Sequence, residues 1–416
     1  MSQDVGTAES VPLSKNRDYL LWWTGSAVSS LGSGISSIAY PLLILGATGS
    51  AIKAAIVGVP ASLAQLILLL PAGVIADRHS RRAILVVTPL VSALAVGTVA
   101  VAVLGGHVWI AHLAVVAFVQ AVAGTLSGAA WNPALRRIVP REQLELALAR
   151  EMSRTGAVGL VAPPVGGFLF GVARWLPFGV DALSFGAATA AVALLRTPLG
   201  PEPAEGRAKR RWFWREMRDG IRFVRASGYL RFMAGWSCLI GAALAAAGLT
   251  QIVLLRDRGA GGLMVGVAYA IGGAGGLLGA AATPWLMRRI AGRRLVLMAT
   301  WLLAVGMAAT AFLPHPLAIG LAMAATAFFF SPLVVVINGF ELRTVPDEYQ
   351  ARVSQVLLIC ELSLGWLAAL AVGALIDTSG GATAALAVAG LYALIAVVSH
   401  RVRSLRQLDA QHASLA

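Results

Sequence analysis

Apolar residues in this chain come in long unbroken runs, and polar residues come in short packets between them. Twelve runs stand out: 19–45, 52–75, 83–104, 109–132, 153–173, 175–196, 230–255, 261–286, 295–313, 316–338, 353–376 and 381–399. About 20 mostly apolar residues let an α-helix cross the hydrocarbon core of a bilayer. Alternation with a period of two is absent, and a spanning backbone must satisfy its hydrogen bonds internally. The runs are therefore expected to be transmembrane helices rather than barrel strands. The fold class that follows is all-α and integral to the membrane.

Composition agrees with the pattern. The chain has 416 residues, 58% hydrophobic and 12% charged. A soluble domain has about 25% charged residues, and a chain this apolar cannot hide its surface from water. Formal net charge is +14, from 33 Lys and Arg against 19 Asp and Glu. The basic residues do not form one patch, so they give no reason to expect a nucleic-acid partner. They divide by side instead. If the N-terminus is cytoplasmic, the outer loops hold only Lys53, Arg174, Arg256 and Arg258. The positive-inside rule then places both termini in the cytoplasm. Arginine outnumbers lysine, and alanine and glycine abound, which points to a GC-rich bacterial genome and so to a bacterial plasma membrane. The first ten residues show no cleavable signal pattern. Cys238 and Cys360 both lie inside apolar runs, so neither a disulfide framework nor a cysteine metal site is expected. The six histidines have no metal-ligand spacing, and no G-x-x-x-x-G-K-[ST] phosphate loop is present. No cofactor and no resident metal are expected.

The longest connection divides the chain into residues 1–196, a linker at 197–228 and residues 229–416. Within the linker, Phe213, Met217, Ile221 and Val224 share one helical face. Arg211, Arg215, Arg218, Arg222 and Arg225 share the other, with Trp212 and Trp214 beside them. Such a helix is expected to lie on anionic lipid. The two halves repeat each other. Asn132, Arg137, Val139, Pro140 and Glu142 follow the fourth run, and Asn338, Arg343, Val345, Pro346 and Glu348 follow the tenth at one constant offset. The same offset carries Gly73 onto Gly279. Two homologous six-helix bundles are expected, with a substrate site between them near mid-membrane.

After the second run stands Gly73-Val-Ile-Ala-Asp77-Arg78-His79-Ser80-Arg81-Arg82. This resembles the G-x-x-x-D-R-x-G-R-R signature of the major facilitator superfamily, with Ser80 in place of the second glycine. Read physically, Gly73 allows close helix approach, and Asp77 beside several arginines can form an interhelical charge pair that locks one face. The fifth run carries Gly156-Ala-Val-Gly159-Leu-Val-Ala-Pro163-Pro164-Val-Gly166-Gly167. It is similar to the antiporter motif of exporters in that superfamily, with the first proline one place late. The Asn-Pro…Val-Pro loop and Asp181-Ala-Leu-Ser-Phe185 look most like the enterobactin-exporter and macrolide-efflux branch. The fourth run has Gln120-x-x-x-Gly124 without the intramembrane arginine of drug antiporters.

Ionisable groups inside a span are costly and mark function. Glu361 lies about a third of the way into the eleventh run, where a carboxyl in low dielectric is suited to exchanging a proton or contacting a cationic substrate. Asp181, in the sixth run, is an outer-gate or protonation candidate, or a cap of its helix. Gln65, Gln120, Gln251, Asn338 and Gln355 are candidates for hydrogen-bonding a substrate in the cavity, each alone being more often interhelical glue. Ser26, Ser29, Ser30, Ser33, Gly34 and Ser37 give the first run a small polar face.

The resemblance implies a monomeric secondary exporter that expels a small organic molecule such as a drug, antibiotic or siderophore in exchange for protons, with the proton gradient as its energy source. Membrane lipids are its other partners. The alternatives are an importer or lysolipid transporter of the same fold, and a membrane protein that transports nothing. Asp77→Asn is expected to cut transport while expression and folding persist. Unchanged transport in that variant removes the gate assignment.

Overall fold

In the computed structural model of the chain, residues 12–200 and 209–401 are described, with side chains omitted through 216. Every regular element among them is helical. The first bundle holds α1 (Arg17–Thr48), α2 (Ala51–Leu68), α3 (Pro71–Arg78), α4 (Arg81–Leu104), α5 (Ile110–Ile138), α6 (Leu144–Val172) and α7 (Leu176–Ala193). The linker helix is α8 (Lys209–Ala226). The second bundle holds α9 (Gly228–Asp257), α10 (Gly262–Arg289), α11 (Gly292–Thr310), α12 (Pro316–Thr344), α13 (Asp347–Ser363), α14 (Gly365–Ser379) and α15 (Gly381–Arg401). Twelve segments are long and apolar enough to cross a membrane, with α2–α3 and α13–α14 each making one segment's path. Twelve crossings return the chain to the side where it began, here called the terminal face. The opposite side is the far face.

The helix ends follow local chemistry. Asn16 caps α1 by accepting from the Tyr19 amide at 3.0 Å. Gly49, at φ 65°, closes it in the left-handed conformation that glycine adopts without strain. Ser80 and Ser227 cap α4 and α9.

Two expected single helices are broken. The second run bends at Leu69–Leu70 because Pro71 has no amide to continue the ladder. The eleventh breaks at Leu364, between Ser363 and Gly365. Ser363 Oγ there donates to the Cys360 carbonyl at 2.7 Å, the kind of back-bonding that bends helices. The expected Asn-Pro…Val-Pro loops are instead helical extensions. α5 runs on to Ile138 and α12 to Thr344, so Asn132, Asn338 and Glu341 are all helical. The breaks fall at Val139 (ψ 130°) and Val345 (ψ 123°), which the following prolines push out of helical geometry.

Two apolar clusters lie within the first bundle, one joining Tyr19, Trp22, Ala130 and Leu135 and the other joining Leu43, Val96 and Phe178. A third runs through α9–α15 and joins the second bundle to Ile38, Leu42 and Leu45 of α1 and Ala51 of α2. The linker helix does not present its whole expected apolar face outward. Val224 is buried and Met217 half-buried against the second bundle's core, while Ile221 stays exposed. Phe223 takes its place, stacked on Tyr349 of α13 at 4.5 Å. The arginine face is as expected for Arg218, Arg222 and Arg225, which are exposed. The side chains of Arg211, Trp212, Phe213, Trp214 and Arg215 lie outside the described residues.

The bundles meet along two seams, α2 against α14 and α6 against α10. At the second seam a Cβ on Gly262 would lie 2.6 Å from the Gly167 carbonyl, and one on Gly266 would strike the Pro163 carbonyl. Only glycine permits this approach. Gly266→Val is expected to lower stability by about 1–3 kcal/mol, read as a lower melting temperature of the protein in detergent. Gly171→Ala, where a Cβ would meet nothing within 4 Å, is the control expected to change little.

Candidate functional site

Three cavities frame the candidate site, one between the bundles and one inside each bundle. One, of about 340 Å³, lies between the bundles and is lined by Pro41, Gly58 and Gln65 from one side and Gly241, Glu361 and Trp366 from the other. A second, about 590 Å³, sits in the terminal half of the second bundle among α9, α12 and α13, walled by Trp236, Asn338, Glu341, Ser354 and Glu361. A third, about 300 Å³, occupies the corresponding half of the first bundle, with Trp22, Ser29, Ser30, Trp131, Glu151 and Arg154. Their walls are apolar with a few polar groups, as substrate cavities are.

Glu361 is the group the first two cavities share. It stands at the end of α13, one turn before the break at Leu364, and is solvent-accessible. Gly241 of α9 packs so closely on its backbone that a Cβ would strike the Glu361 carbonyl. That contact fixes the helix end and so the root of the carboxylate.

Asp181 is elsewhere. Its side chain is fully buried between α7 and α1, accepting from Ser36 Oγ at 2.5 Å and Ser33 Oγ at 3.3 Å. It lies inside α7 and is not the cap of that helix. The serine face of α1 is thus partly a cradle for this carboxylate. Of the amide candidates, Gln65 and Asn338 line cavities. Gln120 instead accepts from the Tyr40 hydroxyl at 3.0 Å, joining α5 to α1. Gln251 and Gln355 line none of these cavities.

Two site groups were not legible beforehand. Arg154 is 8% exposed and holds Glu151 through two of its nitrogens, with Nη1 donating to Ser30 Oγ of α1 at 2.8 Å. In the sequence it stands at the edge of a run, where it reads as an interface anchor. Glu151 lies three residues earlier, and that spacing on one helix face was the available signal. Glu341 stands beyond the apolar part of the tenth run, yet the helical extension brings it to the cavity, bonded to Ser354 Oγ at 2.6 Å.

The signature after the second run is engaged within its own bundle. Asp77 is 56% exposed and pairs with Arg81 at 4.0 Å. Arg82 Nη2 donates to the Ala193 carbonyl at 2.6 Å, and Arg78 is exposed. Gly73, expected to sit in a close helix contact, has open space beside it; its counterpart Gly279 is the one pressed against the Phe328 carbonyl. The motif of the fifth run makes the inter-bundle seam. Gly159, Pro163 and Gly167 meet α10, and Gly166 meets the Ile35 carbonyl of α1, 2.6 Å from where its Cβ would be. The helix carries Pro163 and Pro164 through its interior.

The Major Facilitator Superfamily profile matches residues 22–361. The chain belongs to the major facilitator superfamily. It is 29% identical over 419 residues to the multidrug efflux pump Tap of Mycolicibacterium fortuitum, covering 95% of this chain and 98% of that protein. It is 25% identical over 206 residues to macrolide efflux protein A of Streptococcus pyogenes, about half of each chain. Among solved structures it is similar to the nucleoside transporter NupG, with TM-score 0.73, 13% identity, and coverage of 92% and 98%. A bacterial homologue of the iron transporter ferroportin in an inward-facing state gives TM-score 0.72 at 15% identity, with coverage of 94% and 100%. These structures show a shared fold. The chain is therefore a multi-pass membrane transporter of this superfamily, not an enzyme.

Arg154→Ala leaves Glu151 without its buried partner. Since Glu151 keeps 26% of its side chain exposed, the loss is expected to fall below the ~3–5 kcal/mol of a fully buried pair. Replacing both residues with methionine is expected to restore stability, measured by thermal unfolding.

Proposed function

We propose that this transporter exports a small organic molecule in exchange for protons, alternating access between the two sides of a bacterial plasma membrane. The observation that carries the reading is Glu361, an accessible carboxylate where the inter-bundle cavity meets the cavity of the second bundle. A group so placed can release its proton as substrate enters and take one up as substrate leaves. Asp181, buried and bound by hydroxyls, is the second proton site. Export is supported by the efflux relatives and by the glycine-proline motif at the α6–α10 seam. The terminal face is cytoplasmic, on the arginine bias of the loops. Two of the three cavities lie in the terminal halves, while the bundles touch in their far halves at Gly167–Gly262 and Gly373–Ile52, and this arrangement makes the inward-facing state. When the inner face closes, Asp77 exchanges its partner within the bundle for one across the interface. The largely apolar cavity walls favour a neutral or weakly cationic amphipathic substrate. The protein works as a monomer among lipids, without a cofactor.

In everted vesicles whose lumen is acidified by a proton pump, so that protons leave as substrate enters, the protein is expected to accumulate ethidium, and a protonophore to abolish the accumulation. Glu361→Gln is expected to lose uphill accumulation and keep ethidium exchange at equal concentrations. Accumulation that survives the protonophore would remove proton coupling, and uptake confined to right-side-out vesicles would reverse the direction.

A further inference from the structure

At the far face the first turn of α2 is capped from the other bundle. A helix N-terminus leaves its first amides without intrahelical partners, and a carboxylate satisfies them and the positive end of the helix dipole together. Of the amides of the first turn, the hydroxyl of Ser50, the residue before α2, accepts from Lys53 alone, at 3.4 Å. The stronger bonds come from Asp377, at the far end of α14. Its Oδ1 accepts from the Ala51 amide at 2.6 Å, and its Oδ2 accepts from Ser50 Oγ at 2.6 Å and from the Ile52 amide at 3.3 Å. The flanking backbone is shaped for this approach. Gly49, at φ 65°, makes the tight turn that presents the start of α2. One turn before Asp377 stands Gly373, where a Cβ would lie 2.9 Å from the Ile52 Cα.

We propose that Asp377 is a gating residue, the latch that holds the far face shut in this state. Each of its three donors belongs to the first bundle, while Asp377 belongs to the second. The bonds therefore exist only while the far halves touch, and they stabilise that conformation over the one in which the bundles part there. A cap supplied by a neighbour in sequence would stabilise both conformations alike. Asp377 and Asp77 thus sit at opposite faces with opposite effects, the first favouring far-face closure and the second, once paired across the interface, favouring terminal-face closure. Transport requires both states, so neither can dominate.

The proposal rests on the alternating-access reading, and the distance measurement that tests it needs neither substrate nor gradient. Spin labels go on His107→Cys and Phe312→Cys, exposed far-face positions of the first and second bundles, in a background with Cys238 and Cys360 replaced by serine. Pulsed electron spin resonance then reports their separation in lipid nanodiscs. Asp377→Ala removes three charge-assisted hydrogen bonds from an exposed carboxylate, where solvent weakens each, and is expected to raise the ratio of a longer to a shorter separation by about tenfold. Adding Asp77→Asn is expected to return the distribution toward the parent and to recover part of the transport lost in Asp377→Ala. A residue that merely supports the fold would show no such rescue. If Asp377→Ala does not fold, Asp377→Asn and Ser50→Ala are expected to give the same shift at smaller size. An unchanged distribution in folded variants overturns the latch, even if export is later established. A shift in a protein that fails to export ethidium sustains the latch and sinks the functional reading alone.

Discussion

Inside hydrocarbon two helices gain nothing by hiding leucines from each other, because the lipid is as apolar as the side chain. What holds them is close van der Waals contact, and that requires small residues where backbones cross. The architecture of this transporter depends on that condition. Its inter-bundle seams are built from backbone on backbone, with Gly167 against Gly262, Gly266 against Pro163, and Gly373 against Ile52. At these crossings parting the bundles breaks backbone dispersion contacts, while Ile38, Leu42 and Leu45 of α1 add an apolar patch shared with the second bundle. An interface of interlocked leucines would be harder to slide. The glycines therefore serve adhesion and reversibility together.

Charge is used with similar economy. Buried ionisable groups are few, and each is assigned to one bundle or to the interface. Arg154 with Glu151, and Asp181 with its serines, are satisfied inside the first bundle and travel with it. Asp377, which is exposed at the far face rather than buried, is bonded only across the interface. Glu361 stands in the cavity between these classes and keeps an accessible carboxylate. Partnership, rather than position in the sequence, separates structural charge from charge that responds to conformation.

Much of the fold could be read from residue pattern alone, because the bilayer imposes one length and one polarity on every crossing. The twelve runs are a consequence of that constraint. The site was legible where a charge interrupts an apolar run, as at Glu361. It was not legible where a helix continues past the hydrocarbon, which hid Glu341, or where a charge at the edge of a run turns inward, which hid Arg154. Asp377 was hidden for another reason, since its partners are amides of a turn more than three hundred positions away, and backbone amides carry no sequence signal. On the apolar face of α8, Phe223 rather than Ile221 is covered, because its neighbour α13, with Tyr349, decides which side chain packs.

The linker imposes a limit that neither bundle imposes alone. Leu199 is buried, and its carbonyl accepts from the Arg82 amide at 3.3 Å, so the chain is moored to the first bundle up to that point. From α8 onward it is moored to the second, through Val224 and the ring stack of Phe223 on Tyr349. Residues 200–208 and the helical residues 209–222 join the two moorings; fully stretched the former reach about 30 Å, and the helical stretch adds about 20 Å. The leash caps how widely the terminal face can gape. The amplitude of the transport stroke is thus bounded by covalent geometry, and shortening or lengthening that leash would tune it without touching the cavity.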